Sequence, residues 1–505
     1  MKQLINVLVL LFLLTSFSFA DIIKVPLDKA TIQEALNLCS AGDTVLVSPG
    51  RYYENIVWPN TPGLCLISEQ GQETTIIDGG GLGSVIKLIS ITDSLTIISG
   101  FTIRNGNSSY EGGGIYCRTS SPIIRDNLID SNIAIYGGGI SCILNSKPTI
   151  IGNIIRVNVG CAPAYGGGGG IYCGLESSGI IENNIIAYNR GYDGAALYIQ
   201  CGSSTDIINN NISNNTATNS CGGICIFNNS FPLVLNNLIQ YNYAPDGGGI
   251  GCYRESYPEI RGNTIIYNET SLSGGYGGGI GVFRESSSPH IVKNLIAYNK
   301  AAHGGGISCY EANYPIIDSN IIMNNIGDGI YSALSSNPII KYNNIFGNSI
   351  NSHFGIQNTD ISLTINAKNN WWGDASGPYH PVTNPNGLGD AVSNSVDYTQ
   401  YLLDSVVVGV KYFTQVIPDN FLLYQNYPNP FNPTTHIRFD VHKSSQIKLI
   451  IYNILGKEIK TLVNEKLSAG SYEVDWSASG NPSGVYFYKL VTEGFTNVKK
   501  MLLIK

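Results

Sequence analysis

The sequence predicts an all-β fold, a parallel β-helix solenoid followed by a small C-terminal β-sandwich, and three observations carry that reading. Two short motifs alternate with a period of roughly 26 residues from about residue 110 to 350. Each repeat holds two or three short β-branched runs broken by Gly, Asn or Pro, and none is long enough for a helix. Charged residues make up only 13% of the chain, while 58 of its 505 residues are glycine, which suits many tight turns at fixed places.

The first motif is a glycine run ending in isoleucine, as in Gly112-Gly113-Gly114-Ile115. It recurs with Ile140, Ile171, Ile250, Ile280 and Ile307, and in weaker form with Leu197, Ile224 and Ile330. Successive copies lie 25, 31, 26, 27, 26, 30, 27 and 23 residues apart. The second motif is Asn-x-Ile-x-x-Asn or a close variant, running for example from Asn153 to Asn158, Asn184 to Asn189 and Asn320 to Asn325. Leucine-rich repeats have this length but need a leucine framework that is absent, and propeller blades are longer. One solenoid turn per repeat remains. Coils then stack at the ~4.8 Å strand spacing, so equivalent residues form columns. Isoleucine columns make the core, asparagine columns bond along the stack at left-handed bends, and the glycine run marks a corner.

Composition narrows the setting. A net charge of -7 with no concentrated basic face excludes nucleic acid as a partner. Residues 1–20 read as a secretory signal peptide: Lys2, an apolar run from Ile5 to Leu14, then Ser18-Phe19-Ala20. No other stretch is apolar enough for a transmembrane segment. Of eleven cysteines, Cys117, Cys142, Cys173, Cys252 and Cys309 share one repeat position and read as a buried column. Cys39 with Cys65, and Cys201 with Cys221, are the better disulfide candidates. No cysteine pair has zinc-site spacing, and Gly274 to Gly281 lacks the Asp of the calcium-binding repeat. No cofactor is therefore expected, and a calcium ion would have no motif to hold it.

The alternation of GGGI and NxIxxN resembles the right-handed parallel β-helix proteins of the pectin-lyase-like superfamily, and also repeat-built surface proteins and adhesins. Ile22 to Gly80 is similar to the start of many such chains, with Thr31-Ile32-Gln33-Glu34-Ala35-Leu36, Gly42-Asp43-Thr44-Val45 and Pro49-Gly50-Arg51-Tyr52. A short amphipathic helix from Thr31 to Cys39 would cap the open end of the core. Asn370-Trp371-Trp372-Gly373 looks like the closing segment, with two Trp to plug the last coil. The expected layout is a cap with first coils over 21–80, the right-handed parallel β-helix over 81–403, a linker over 404–417 and a sandwich over 418–505. The resemblance implies the fold but not one function, because such folds serve lyases, hydrolases, esterases and adhesins.

After Val410 the pattern stops. Alternating strands are expected at Thr435–Val441, Gln446–Tyr452, Ser471–Asp475, Gly484–Leu490 and Thr496–Ile504, which suggests a small β-sandwich. Tyr427-Pro428-Asn429-Pro430-Phe431-Asn432-Pro433, with Gly484-Val485-Tyr486-Phe487 and Lys499-Lys500-Met501, resembles the C-terminal sorting domain of type IX secretion cargo. That resemblance implies the type IX secretion machinery as a partner and export across an outer membrane. It also implies frequent removal of the domain with attachment to surface lipopolysaccharide.

Counting from each repeat isoleucine places Phe227, Tyr253, Phe283 and Tyr310 in one outward column beside small residues. Such a strip is a platform for sugar rings, or else a ladder that stiffens the sheet. Arg254-Glu255, Arg284-Glu285 and Glu311 lie beside it, as a solvated ion-pair ladder or as recognition groups for an acidic glycan. Asp246 and His303, with Asp193, precede glycine runs two coils apart, a separation within the range of paired glycosidase carboxylates. Glu285, Glu311, Asp246 and His303 are thus the weak catalytic candidates. No acidic cluster with an aligned Lys is present, and only the 31- and 30-residue repeats, around Cys161 to Gly167 and Glu269 to Tyr276, hint at walls for a cleft. The leading expectation is a non-catalytic, glycan- or surface-binding scaffold at the cell surface, its partner an extracellular polysaccharide. The alternatives are a polysaccharide lyase or glycoside hydrolase, and a structural surface-layer component.

Overall fold

The computed structural model describes residues 20–160, 165–348, 353–406, 411–414, 418–467, 469–478 and 480–504. The expected signal peptide, and residues 161–164 of the longest repeat, lie outside these residues. No helix among them is long and apolar enough to cross a membrane.

The repeats fold as a parallel β-solenoid. Each complete coil adds a strand to three long sheets, here sheets I, II and III, with 15, 12 and 12 strands among the described residues. In one coil, Ile115–Arg118 lies in sheet II, Ile123–Arg125 in sheet I and Leu128–Asp130 in sheet III. A small sheet IV joins Ile133–Ala134, Val159–Gly160, Arg190–Asp193 and Thr216–Ser220 between sheets III and II. Repeat isoleucines pair in register, Ile115 with Ile140 and Ile140 with Ile171, so one apolar column stacks on itself through the coils. Ile115, Ile124 and Ile129, one from each sheet, are fully buried in a single core that runs from Val25 to Val396. Parallel strands buried on their inner face read as β-branched, as these do.

Two asparagine columns fix the corners. Asn153 Nδ2 donates to Asn184 Oδ1 at 3.1 Å and to the Ile124 carbonyl at 2.8 Å, while its Oδ1 accepts from the backbone N–H and the Nδ2 of Asn127. The second column repeats the pattern from Asn132 to Asn348, where the Asp390 carboxylate accepts the last amide at 2.9 Å. Left-handed backbone does not fall on these asparagines, as the sequence suggested, but on the residue before each one, such as Ser131, Tyr188 and Tyr241. The ladder asparagine itself turns inward, where burial makes its bonds strong and their loss costly.

The ends are closed as the sequence implies. Thr31 caps the helix Ile32–Leu36, its hydroxyl accepting from the Glu34 N–H, and Ile32, Ala35 and Leu36 are buried against the first coils. At the other end Trp372 is fully buried in the core. Trp371 instead packs outside, edge-on to Phe346 at 5.3 Å. Cys117, Cys142 and Cys173 stack in register as buried thiols. The disulfide expectation is corrected: Cys39, Cys65, Cys201 and Cys221 are free. Cys39 is buried beneath the cap helix with its thiol on the Ala35 carbonyl, while Cys65 starts a strand whose next residue, Leu66, is the one turned inward. Cys201 sits at a partly exposed bend, whereas Cys221 is buried beside Cys225.

The C-terminal strands form two four-stranded antiparallel sheets around a separate core containing Phe431, Phe439, Tyr472, Trp476 and Tyr488. Phe431 is buried against Trp476, and backbone bonds tie it to Leu502 and Ile504, so the proline-rich string clasps the last strand. The strand Glu458–Leu467 was not anticipated; it is an edge strand rich in Lys and Glu, which hides the apolar alternation.

Replacing Asn268 with Ala removes the acceptor of the Asn242 N–H and Nδ2 and a donor to the Ile239 carbonyl. The expected cost is about 3 kcal/mol, read as a lower denaturation midpoint for the solenoid.

Candidate functional site on the outer face of sheet II

The outer face of sheet II carries a second apolar cluster, separate from the core, that includes Tyr172, Tyr198, Cys225, Tyr253 and Phe283. Seven rings, from Tyr110 and Tyr136 through Tyr172, Tyr198, Phe227 and Tyr253 to Phe283, follow one another at centroid distances of 4.8 to 6.2 Å. The predicted column is therefore real, and it extends across both halves of the repeat. Its exposure is not. Tyr253 and Phe283 are buried, at 8% and 5% exposure, and only Phe227 and Tyr310 keep a partly open face. The clear space foreseen beside the strip is filled by the rings themselves. A Cβ at Gly281 would collide with the Phe283 ring, and one at Gly251 with the Tyr253 ring and the Cys221 sulfur. In the first half Tyr172 leans the other way, over Gly174. Small residues thus let each ring lie down on the sheet, and the ladder reading describes its middle.

The charged column lies where the sequence placed it, on left-handed bends at Arg254, Glu255, Arg284, Glu285 and Glu311. Arg254 pairs with Glu285 and Arg284 with Glu311, each at 4.0 Å between neighbouring coils. The Arg254 guanidinium also lies 5.2 Å from the Phe227 ring centre. All four side chains are 45% to 69% exposed, where such pairs contribute little stability and leave guanidinium N–H groups free.

The opposite wall is the residue before each glycine run. Asp193 pairs with Ser220, and Ser220 with Asp246, so the two Asp stand two coils apart as expected. Asp193 Oδ1 accepts from Ser220 Oγ at 2.6 Å and Asn219 Nδ2 at 2.8 Å, and Asp246 Oδ1 accepts from the Tyr276 N–H at 2.9 Å. Burial holds both carboxyls above the ordinary Asp range, opposed by these bonds and, at Asp246, by Arg284. Burial raises Glu111 in the same wall. His303 is stacked on Tyr276 at 4.8 Å and tilted against Tyr331 at 4.9 Å. The structure thus separates the catalytic candidates, with Asp246 and His303 on one wall and Glu285 and Glu311 on the exposed ladder. Asp328 was missed; it is buried, accepts from the Phe354 N–H and lies 3.7 Å from His353 Nδ1. Its isolated place in Gly327-Asp328-Gly329 gave no signal. A donor group was also missed in the sandwich, where His436, Glu473 and Asp475 bring ligand atoms within 4.8 Å of one another. Glu473 and Asp475 share one face of a strand, and His436 pairs with Asp475 across the sheet, which spacing alone does not reveal.

Comparisons with known proteins agree with this architecture. Residues 60–239 and 161–307 match the family described as a right handed beta helix region. Residues 425–505 match the secretion system C-terminal sorting domain. The chain is a right-handed parallel β-helix protein with a type IX sorting domain, which implies export and a secreted or cell-surface location. Two solved structures are similar in part. A periplasmic alginate epimerase, AlgG, is 13% identical with a TM-score of 0.38, over 69% of this chain and 83% of that one. The enzymatically active domain of tailspike protein 4 of bacteriophage CBA120 is 10% identical with a TM-score of 0.26, over 91% of this chain and 64% of that one. No curated protein matches.

An Asp held above its ordinary value of 3.8 binds its proton more tightly folded than unfolded, so it stabilises the fold below that value and loses this as pH rises through the raised one. Asp193→Asn keeps the acceptor for Ser220 and Asn219 but cannot ionise. It is expected to unfold at a higher temperature than the parent at pH 7 to 8, with the gap closing toward pH 4, in thermal melts across that range.

Proposed function

We propose that this secreted β-helix is a non-catalytic scaffold that binds an acidic extracellular polysaccharide along the outer face of sheet II. In this reading it stays at the outer-membrane surface once the sorting domain has been used. The observation that supports it is the pair of exposed guanidinium groups, Arg254 and Arg284, one coil apart and loosely paired, beside the partly open rings of Phe227 and Tyr310. Arginine's planar fork suits carboxylate groups repeated along a polymer, and a weak partner such as Glu285 or Glu311 is readily exchanged for one. Tyr253 and Phe283 then hold the platform in shape, and Glu255 stands at the bend beside Arg254.

Replacing Arg254 and Arg284 together with Ala should lower retention of polygalacturonate at least tenfold in low salt, with an unchanged circular dichroism spectrum. Undiminished retention would sink this reading.

A second reading is favoured by the wall carboxyls. Asp193 and Asp246, held above the ordinary Asp range by burial and roughly 10 Å apart by coil spacing, come near the separation of an acid and a base in an inverting glycosidase. New reducing ends or unsaturated products from a panel of polysaccharides, lost in Asp246→Asn, would replace the scaffold reading with a lyase or hydrolase.

A further inference from the structure

A different face of the solenoid carries a ring column that the strip on sheet II does not involve. At the bend between sheets III and IV, the residue before each second-column asparagine points outward on left-handed backbone. Strand register places Val157, Tyr188, Asn214, Tyr241, Tyr267, Tyr298 and Asn324 there in successive coils. Tyr241, Tyr267 and Tyr298 stack nearly parallel, with centroids 5.2 Å apart and planes 5° and 14° from one another. All three are exposed, at 52%, 42% and 42%, and Tyr188 at 60%.

The column has one interruption. Asn214 stands where the ladder would place a ring, so Tyr188 and Tyr241 occupy the same column two coils apart, on the order of 10 Å. That spacing leaves room for a single flat ring between the two tyrosines. Beside it lies a cavity of about 450 Å³ lined by Val157, Val159, Tyr188, Arg190, Asn214 and Thr216. Among the described residues the Asn214 amide has no side-chain hydrogen bond and Arg190 has no carboxylate partner. Further along the same wall, Lys300 and Glu269 neutralise each other at 3.0 Å.

We propose that this slot is a second, independent binding site that takes one pyranose ring of a neutral linear glycan lying along the solenoid axis. The axial C–H groups of a pyranose meet the negative faces of Tyr188 and Tyr241, while its hydroxyls meet Asn214, Arg190 and Thr216 at the rim. A flat apolar face with a polar edge is what the slot complements. The stacked rings beyond the slot present edges and hydroxyls to the rest of the polymer.

The test uses the full secreted chain with cellohexaose, xylohexaose and mannohexaose in calorimetric titrations, and polygalacturonate as the acidic comparison. The parent should bind at least one neutral hexasaccharide. Tyr188→Ala should weaken this at least tenfold. Asn214→Tyr should abolish it by completing the ladder, and this variant should fold, because neighbouring coils already hold Tyr in the same backbone conformation. Arg254→Ala with Arg284→Ala should leave neutral binding unchanged, which separates this site from the one on sheet II. Absence of neutral binding by the parent, or full binding by a folded Asn214→Tyr chain, overturns the proposal.

Discussion

Every coil of this solenoid is registered on the next by the buried amide of an asparagine. A strand of three residues makes too few backbone bonds to define its own register, and a slip of one residue would turn each isoleucine out of the core. The ladder asparagine prevents this by making four side-chain bonds at once. It receives the N–H and the amide of the coil before, and it gives its own amide to the coil after and to a backbone carbonyl. Because those groups are buried, an offset coil would leave several unsatisfied together. The isoleucine core, the thiol column and both outer ring columns depend on that registration.

With register fixed from inside, the outward positions need only be compatible with stacking, and two solutions appear. On sheet II the rings lie flat over glycines and small residues and are largely buried. At the bend after sheet III they stand away from the chain and stack on one another in water. The first gains burial and offers little surface to a ligand at its centre. The second keeps its edges and interrupted faces open. Exposure of a column is therefore set by whether its backbone neighbours are small.

The fold was legible because its signals are periodic: Ile115 to Ile330 at the core, asparagine at both bends, Trp372 at the end. The position of the aromatic strip was legible for the same reason. Its burial was not, since side-chain lean depends on which of two alternate positions carries glycine, and Gly251 beside Tyr253 reads in sequence as open space. The tyrosine column was present as the dipeptide Tyr-Asn at Tyr188, Tyr241, Tyr267 and Tyr298, where the regular asparagine is the stronger periodic signal. The His436, Glu473 and Asp475 group comes together only through cross-strand pairing, which no local spacing encodes, and Asp328 meets His353 and the Phe354 N–H only through the fold of the next coil.

The second asparagine column also has an electrical sense. From Asn132 to Asn325 every side-chain amide donates one hydrogen to the next asparagine in the same direction along the axis, so these amide dipoles add head to tail. The positive end of such a row lies at its last donor. There the chain returns from the closing segment to present Asp390, which takes the Nδ2 and N–H of Asn348 and the N–H of Gly347, each at 2.9 Å. A carboxylate at the terminus of aligned amides does for this row what an acidic cap does for a helix. The solenoid is thus polar along its length, and its last coil is the place where that polarity is discharged.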